Sequence, residues 1–272
     1  MLRNVIFSGG GLKGWAYIGT IQALNELISF KEIEQIIGVS IGSVFGLFYL
    51  LQIDYSFILD FIMGLNFKEL VDIDIDNIIS NQSLLLGNGF KKTIIDIMSY
   101  KVDPDITFGD LKKYSKVLFT TCALNIDTAK LEYFNYHLTP DIKVIDAIMA
   151  SSALPFLFPS YQIKNNFYYD GGLVNDCPSN LVDPLDSIAF RMCECKRTSK
   201  FNLFKLLYSL IELSNNTIDL NCDIHYHILD NKFGDQWLNL SQTKDDVFNI
   251  YMNGYKNSKQ VIFDSFVALK SS

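Results

Sequence analysis

Ile36-Ile37-Gly38-Val39-Ser40-Ile41-Gly42-Ser43-Val44-Phe45 decides the reading of this chain. A short β-branched run stops at a glycine, a serine sits between two glycines, and an unbroken apolar stretch follows. The pattern predicts a strand over residues 36–39, a sharp turn, and a helix from Ser43. Gly38-Val39-Ser40-Ile41-Gly42 has the form Gly-x-Ser-x-Gly. On such a strand-to-helix turn a serine is held in a strained backbone conformation with its Oγ projecting, and the flanking glycines leave room for neighbouring chain. The helix beyond aims its first amides and its dipole at the same spot, favouring negative charge that develops there. A plainer alternative is a glycine turn in which Ser40 caps the helix.

Upstream, a strand over residues 4–7 runs into Ser8-Gly9-Gly10-Gly11-Leu12-Lys13-Gly14, and a helical pattern covers 15–28. Gly9, Gly11 and Gly14 satisfy G-x-G-x-x-G, with Glu34 near the position of a ribose-binding acid. Glu34, however, precedes the second strand instead of ending it, so the ribose has no partner. Trp15 follows Gly14 where a Walker loop needs Lys-Ser or Lys-Thr. Consecutive glycines also expose backbone N–H groups able to bind the oxygen of a tetrahedral acyl intermediate. Two adjacent parallel strands bring both turns to one sheet edge, where α/β ligands bind. The acyl-transfer reading is the better one.

Further along, strands are predicted over 117–124 and 131–134, joined by an Asn-Ile-Asp-Thr turn suited to a hairpin. Others are expected over 161–169, 187–190 and 224–229, and helices over 84–99, 144–150, 201–213 and 247–269. Strands alternating with helices predict an α/β sandwich with a mainly parallel sheet, and one domain over 1–272. Residues 44–65 have the length of a membrane span, but Gln52, Asp54 and Asp60 interrupt it, and an aspartate at the bilayer centre costs about 3 kcal/mol. Two buried or half-buried helices are expected there. Polar residues of the 201–213 segment form one narrow stripe, which suits a packed helix or an interfacial one.

Whole-chain numbers narrow the function classes. The 272 residues are 49% hydrophobic, and 23 Lys and Arg against 30 Asp and Glu leave a net charge of −7. This composition excludes disorder and disfavours nucleic acid, whose binding needs a basic surface. The residues before and through Val5-Ile6-Phe7 are too short for a signal-peptide core. The five cysteines, at 122, 177, 193, 195 and 222, show neither zinc spacing nor a disulfide grid. An intracellular, cytoplasmic protein, free or peripheral to a membrane and with no transmembrane helix, is expected, with reduced thiols and no metal or cofactor.

A serine nucleophile needs a base, and the chain has only three histidines. His225 and His227 alternate along a predicted strand, and either could complete a triad with Ser40 and Asp170. Asp170, in Tyr169-Asp170-Gly171-Gly172, is the stronger candidate: a strand end followed by two glycines can place a carboxylate against another loop. Direct use of aspartate demands that burial raise its pKa from near 4. Asp-Gly-Gly is otherwise a tight turn.

Taken together, these residues resemble the patatin-like phospholipase family. The Gly9–Gly14 block is similar to its glycine-rich oxyanion motif, with Lys13 at the basic position. Gly38 to Gly42 resembles its nucleophile elbow and Asp170-Gly171-Gly172 its dyad aspartate. Ala150-Ser151-Ser152-Ala153-Leu154-Pro155, continuing to Phe158-Pro159, resembles a further family block, and Asn175 and Pro178 fit the same pattern. The blocks cover about residues 5–180; beyond Pro184 no motif matches. The resemblance implies a three-layer α/β/α sandwich and a calcium-independent Ser-Asp dyad that cleaves lipid acyl esters. Ser40 would be the nucleophile, Asp170 its base, and the amides of Gly10, Gly11 and Ile41 the oxyanion hole. No histidine or metal is required. Lys13 would meet a phosphate or, the preferred expectation, form a surface ion pair. The lipid would be met at a membrane or lipid surface, and Phe156, Leu157 and Phe158 would line an acyl pocket or fill the core. The other class kept in view is a silent lipid- or partner-binding module on the same fold.

Overall fold

Short apolar runs suffice for a strand buried on both faces, and two four-residue strands, each with its last three residues buried, begin the sheet: β1 (Asn4–Phe7) and β2 (Gln35–Gly38). The computed structural model describes residues 2–66, 72, 83–192, 225–227 and 242–271. Between the first strands lie a 3-10 turn (Gly11–Trp15) and α1 (Ala16–Leu27). After β2 come α2 (Ile41–Leu50), α3 (Tyr55–Gly64), α4 (Asn88–Met98) and α5 (Phe108–Tyr114). β3 (Leu118–Asn125), β4 (Lys130–Phe134), α6 (Val144–Ser151), β5 (Tyr161–Ile163) and β6 (Asn166–Asp170) follow. β7 (Ser187–Arg191), β8 (His225–His227) and α7 (Lys244–Ser271) complete the described elements.

The strand order is β5-β6-β3-β2-β1-β7-β8, with β4 also paired to β3. Pairings β3-β2-β1-β7-β8 are parallel, whereas β4, β5 and β6 are antiparallel to their neighbours. Helices flank this mixed, mostly parallel sheet, the α/β/α sandwich expected. α2 has all ten residues buried against the sheet, and α3 is half-buried through Ile58 and Ile62. Asp54, which breaks the apolar run, caps α3 by accepting from the Ser56 amide at 2.7 Å. Among the described residues no helix is long and apolar enough to cross a membrane.

Some boundaries differ from expectation for local reasons. The helix after the serine turn starts at Ile41, not Ser43, because the turn itself begins it. The run over 161–169 is two strands, since Lys164 adopts φ 54° and a two-residue turn pairs Ile163 with Asn166. α5 escaped the periodicity reading because its seven residues carry only Phe108 and Leu111 as buried contacts. The 201–213 helix, and Cys193, Cys195 and Cys222, lie outside the described residues.

One topological detail positions everything that follows. Thr121 of β3 pairs with Gly38 of β2 and with Phe134 of β4, so those strands lie on opposite edges of β3. Leu124 pairs with Leu131 of β4 and with Tyr169 of β6. β6 therefore shares the β2 edge, just past the end of β2, and the two strands meet head to head. Gly38 stands opposite Thr121 and Asp170 opposite Ala123, two residues or about 7 Å apart along β3.

Candidate active site

Ser40 has φ 55° and ψ −129°, a conformation that costs a non-glycine residue about 1–3 kcal/mol. Its side chain makes no capping bond to α2, which removes the plain capping alternative. The turn is tight enough to explain both glycines. A Cβ on Gly38 would lie 2.5 Å from the Gly42 carbonyl oxygen, and one on Gly42 would lie 2.2 Å from that of Phe7. The Gly42 contact locks the start of α2 against the end of β1.

Asp170 ends β6, buried to 4% exposure, with its own amide donating to the Ala153 carbonyl at 2.9 Å. Its carboxylate accepts from the Gly172 amide at 2.7 Å. Burial pushes its pKa up to about 7; hydrogen bonds from the Ser40 side chain and the Gly172 amide oppose that rise, and the nearby Asp176 charge adds to it. Ser40 and Asp170 thus come together at the junction of β2 and β6, where the serine hydroxyl holds back the rise of the carboxyl pKa. Gly171 is required because a Cβ there would sit 2.4 Å from the Cys122 carbonyl oxygen.

The Gly9–Gly11 loop lies over the same junction, with the Cβ position of Gly9 3.6 Å from Ser40 Cβ. Gly11 adopts φ 56°, and a Cβ on Gly10 would meet Met192 Cγ at 2.3 Å. A Cβ on Gly14 would meet Ile41 at 2.3 Å, so the glycine loop and the serine turn pack on each other. Neighbouring amides divide into two groups. Gly9 donates to the Asp176 carbonyl at 3.1 Å and Ser40 to Ser151 Oγ at 2.9 Å. Among the described residues, the amides of Gly10, Gly11 and Ile41 have no protein acceptor.

Three supports were not legible in the sequence. Tyr17 donates to the Ser8 carbonyl at 2.8 Å and lies 2.9 Å from that of Phe190, tying the base of the glycine loop to β7. Arg191 grips the Asp176 carboxylate at 3.1 and 3.2 Å. Ser151, at the end of α6, was quoted in the sequence only as part of a block. Its partner Ser40 lies 111 residues away, so no local signal could have paired them. Lys13, expected at the surface, is instead buried, 2% exposed. It sits within the 3-10 turn Gly11–Trp15, of which Gly14 and Trp15 are also buried. Leu157 is buried, whereas Phe156 is exposed and has φ 66°. His225 and His227 lie on β8, at the far edge of the sheet and three strands from β2, about 14 Å away at strand spacing.

The profile of the family described as patatin-like phospholipase matches residues 5–183, which include both glycine turns, the Ser151 block and Asp170. The chain belongs to the patatin-like phospholipase family. A probable lipid hydrolase, 463L, of Invertebrate iridescent virus 6 is 30% identical over 187 residues, covering 66% of this chain and 63% of that protein. A cGAMP-activated phospholipase of Vibrio cholerae is 29% identical over 203 residues, 65% of this chain and 56% of that protein. The chain thus spans 56–63% of the length of these two relatives. In structure it is similar to VipD from Legionella pneumophila, with a TM-score of 0.65 at 16% identity, covering 97% of this chain and 67% of VipD. That likeness is one of patatin-like fold.

Proposed function

We propose that this chain is a serine hydrolase of lipid fatty-acyl esters, with phospholipids or related lipids as substrates, working through Ser40 and Asp170. The observation that carries the reading is the meeting, at the junction of β2 and β6, of a strained, non-capping serine and a buried aspartate whose pKa is raised to about 7. Such a carboxylate is basic enough to accept the serine proton near neutrality, which an ordinary aspartate is not.

Ser40 Oγ attacks the ester carbonyl carbon as its proton passes to the Asp170 carboxylate. The oxygen that becomes negative is received by the amides of Gly10, Gly11 and Ile41. The carbon–oxygen bond to the alcohol then breaks, and Asp170 returns the proton to the departing alkoxide. The acyl-Ser40 ester is cleared by water, which gives a proton to Asp170 as it attacks; Ser40 recovers a proton when the second tetrahedral intermediate collapses. Nothing in this sequence calls for histidine, and the far-edge position of His225 and His227 favours Asp170 as the base. Nor does it use calcium, so a chelator should leave the rate within about twofold.

A fluorophosphonate probe tests the reading directly. Wild type should be labelled at Ser40, and Ser40→Ala should lose both labelling and turnover of a short-chain aryl ester. Folded wild-type protein that resists the probe and turns over no ester would overturn the proposal, and would leave the binding-module reading in its place.

A further inference from the structure

Resting on that reading, we infer that Ser151 is a positioning residue for the nucleophile: its hydroxyl holds the amide of Ser40 and so sets where the attacking oxygen stands. Ser151 is fully buried at the end of α6, and its Oγ accepts from the Ser40 N–H at 2.9 Å. The following peptide is held as well, since the Ser40 carbonyl accepts from the Ser43 amide at 2.9 Å and from Ser43 Oγ at 2.6 Å. Both peptides around a residue at φ 55° are therefore clamped, one from within α2 and the other from a different element. Of these two clamps, that of Ser151 ties the elbow to α6. α6 packs on β3 and on α2, and Ala153, two residues beyond Ser151, accepts the Asp170 amide. One short segment, Ser151 to Ala153, thus touches the backbone of both members of the dyad and fixes one against the other.

The same bond sorts the amides at the turn. A strained serine turn offers its own N–H and the next one toward the site. With the Ser40 N–H occupied by Ser151, Ile41 is left as the donor from this loop, facing the amides of Gly10 and Gly11. Removing the Ser151 hydroxyl does two things at once: the elbow is free to relax toward ordinary φ, and a competing amide is released beside the oxyanion site. Neither change removes the Asp170 carboxylate or a side chain that receives substrate. The loss should therefore appear in kcat and in the rate of probe labelling, not in KM.

Compare wild type with Ser151→Ala, Ser151→Thr, Ser151→Cys and Ser152→Ala, using a short-chain aryl ester, fluorophosphonate labelling and thermal melting. Ser152 is the matched control, since its buried Oγ has no hydrogen-bond partner among the described residues. The expected result is a roughly 10- to 100-fold fall in kcat and labelling rate for Ser151→Ala, with KM and melting temperature kept. Ser151→Thr or Ser151→Cys, each retaining an acceptor atom, should regain most of the loss, and Ser152→Ala should match wild type. Wild-type labelling with an equally reactive Ser151→Ala overturns the inference and leaves the dyad standing. A loss that neither acceptor-bearing variant regains, or one that follows melting temperature in every variant, assigns Ser151 to packing and overturns it too. Failure of wild type to react falls on the dyad reading instead.

Discussion

At the scale of single residues, Asp170 joins chemistry to stability. Its pKa is raised to about 7, so activity that depends on its carboxylate should climb as pH passes through that region. The stability effect has the opposite sign. An unfolded Asp ionises near 3.9, so between about pH 4 and 7 the folded protein holds the proton more tightly than the unfolded chain, and the stability contributed below pH 4 drains away as pH rises through 7. Asp170→Asn should therefore abolish turnover yet raise the melting temperature at pH 8 by about 2–4 °C, the equivalent of about 1 kcal/mol. Differential scanning fluorimetry against pH checks this; equal destabilisation at pH 5 and pH 8 would contradict it. His225→Ala and His227→Ala should leave the rate profile in place, and an acid limb that vanishes in either would move the base to histidine.

At the scale of elements, the crossing of α1 with α7 is set by two glycines. A Cβ on Gly19 would lie 2.3 Å from the Tyr251 carbonyl oxygen, and one on Gly254 would lie 2.2 Å from that of Ala16. Backbones this close leave no side-chain tip to move aside. In an isolated helix Gly→Ala stabilises by about 1 kcal/mol, but here the clash decides the sign. Gly254→Ala should lower the melting temperature by roughly 3–10 °C. Gly64→Ala, at the end of α3 with nothing within 4 Å of its Cβ position, should be neutral or stabilising. Indifference of Gly254→Ala in a thermal melt would mean that the helices do not meet this closely. The sequence showed the helical periods of both segments, but not which faces would meet.

At the scale of the molecule, a net charge of −7 bears on how lipid is approached. Attraction to an anionic surface by charge would weaken with salt, whereas apolar contact would not. Raising salt from about 50 to 500 mM should therefore leave co-sedimentation with anionic vesicles unchanged or stronger, and release by salt would point to a basic docking surface.

The sequence by itself determined the sheet-and-helix alternation, the two glycine turns and the serine between them. Those features are local: a backbone that must turn sharply or adopt positive φ selects glycine or a strained serine within a few positions, and short apolar runs mark buried strands. Tertiary structure alone decided that Asp170 faces Ser40, because that depends on β6 running onto the same edge of β3 that β2 has just left. It also decided that Lys13 is buried and that Ser151 holds the amide of Ser40 from 111 residues away. The register of distant strands and the ends of packed helices set such contacts, and no local pattern of residue types records them.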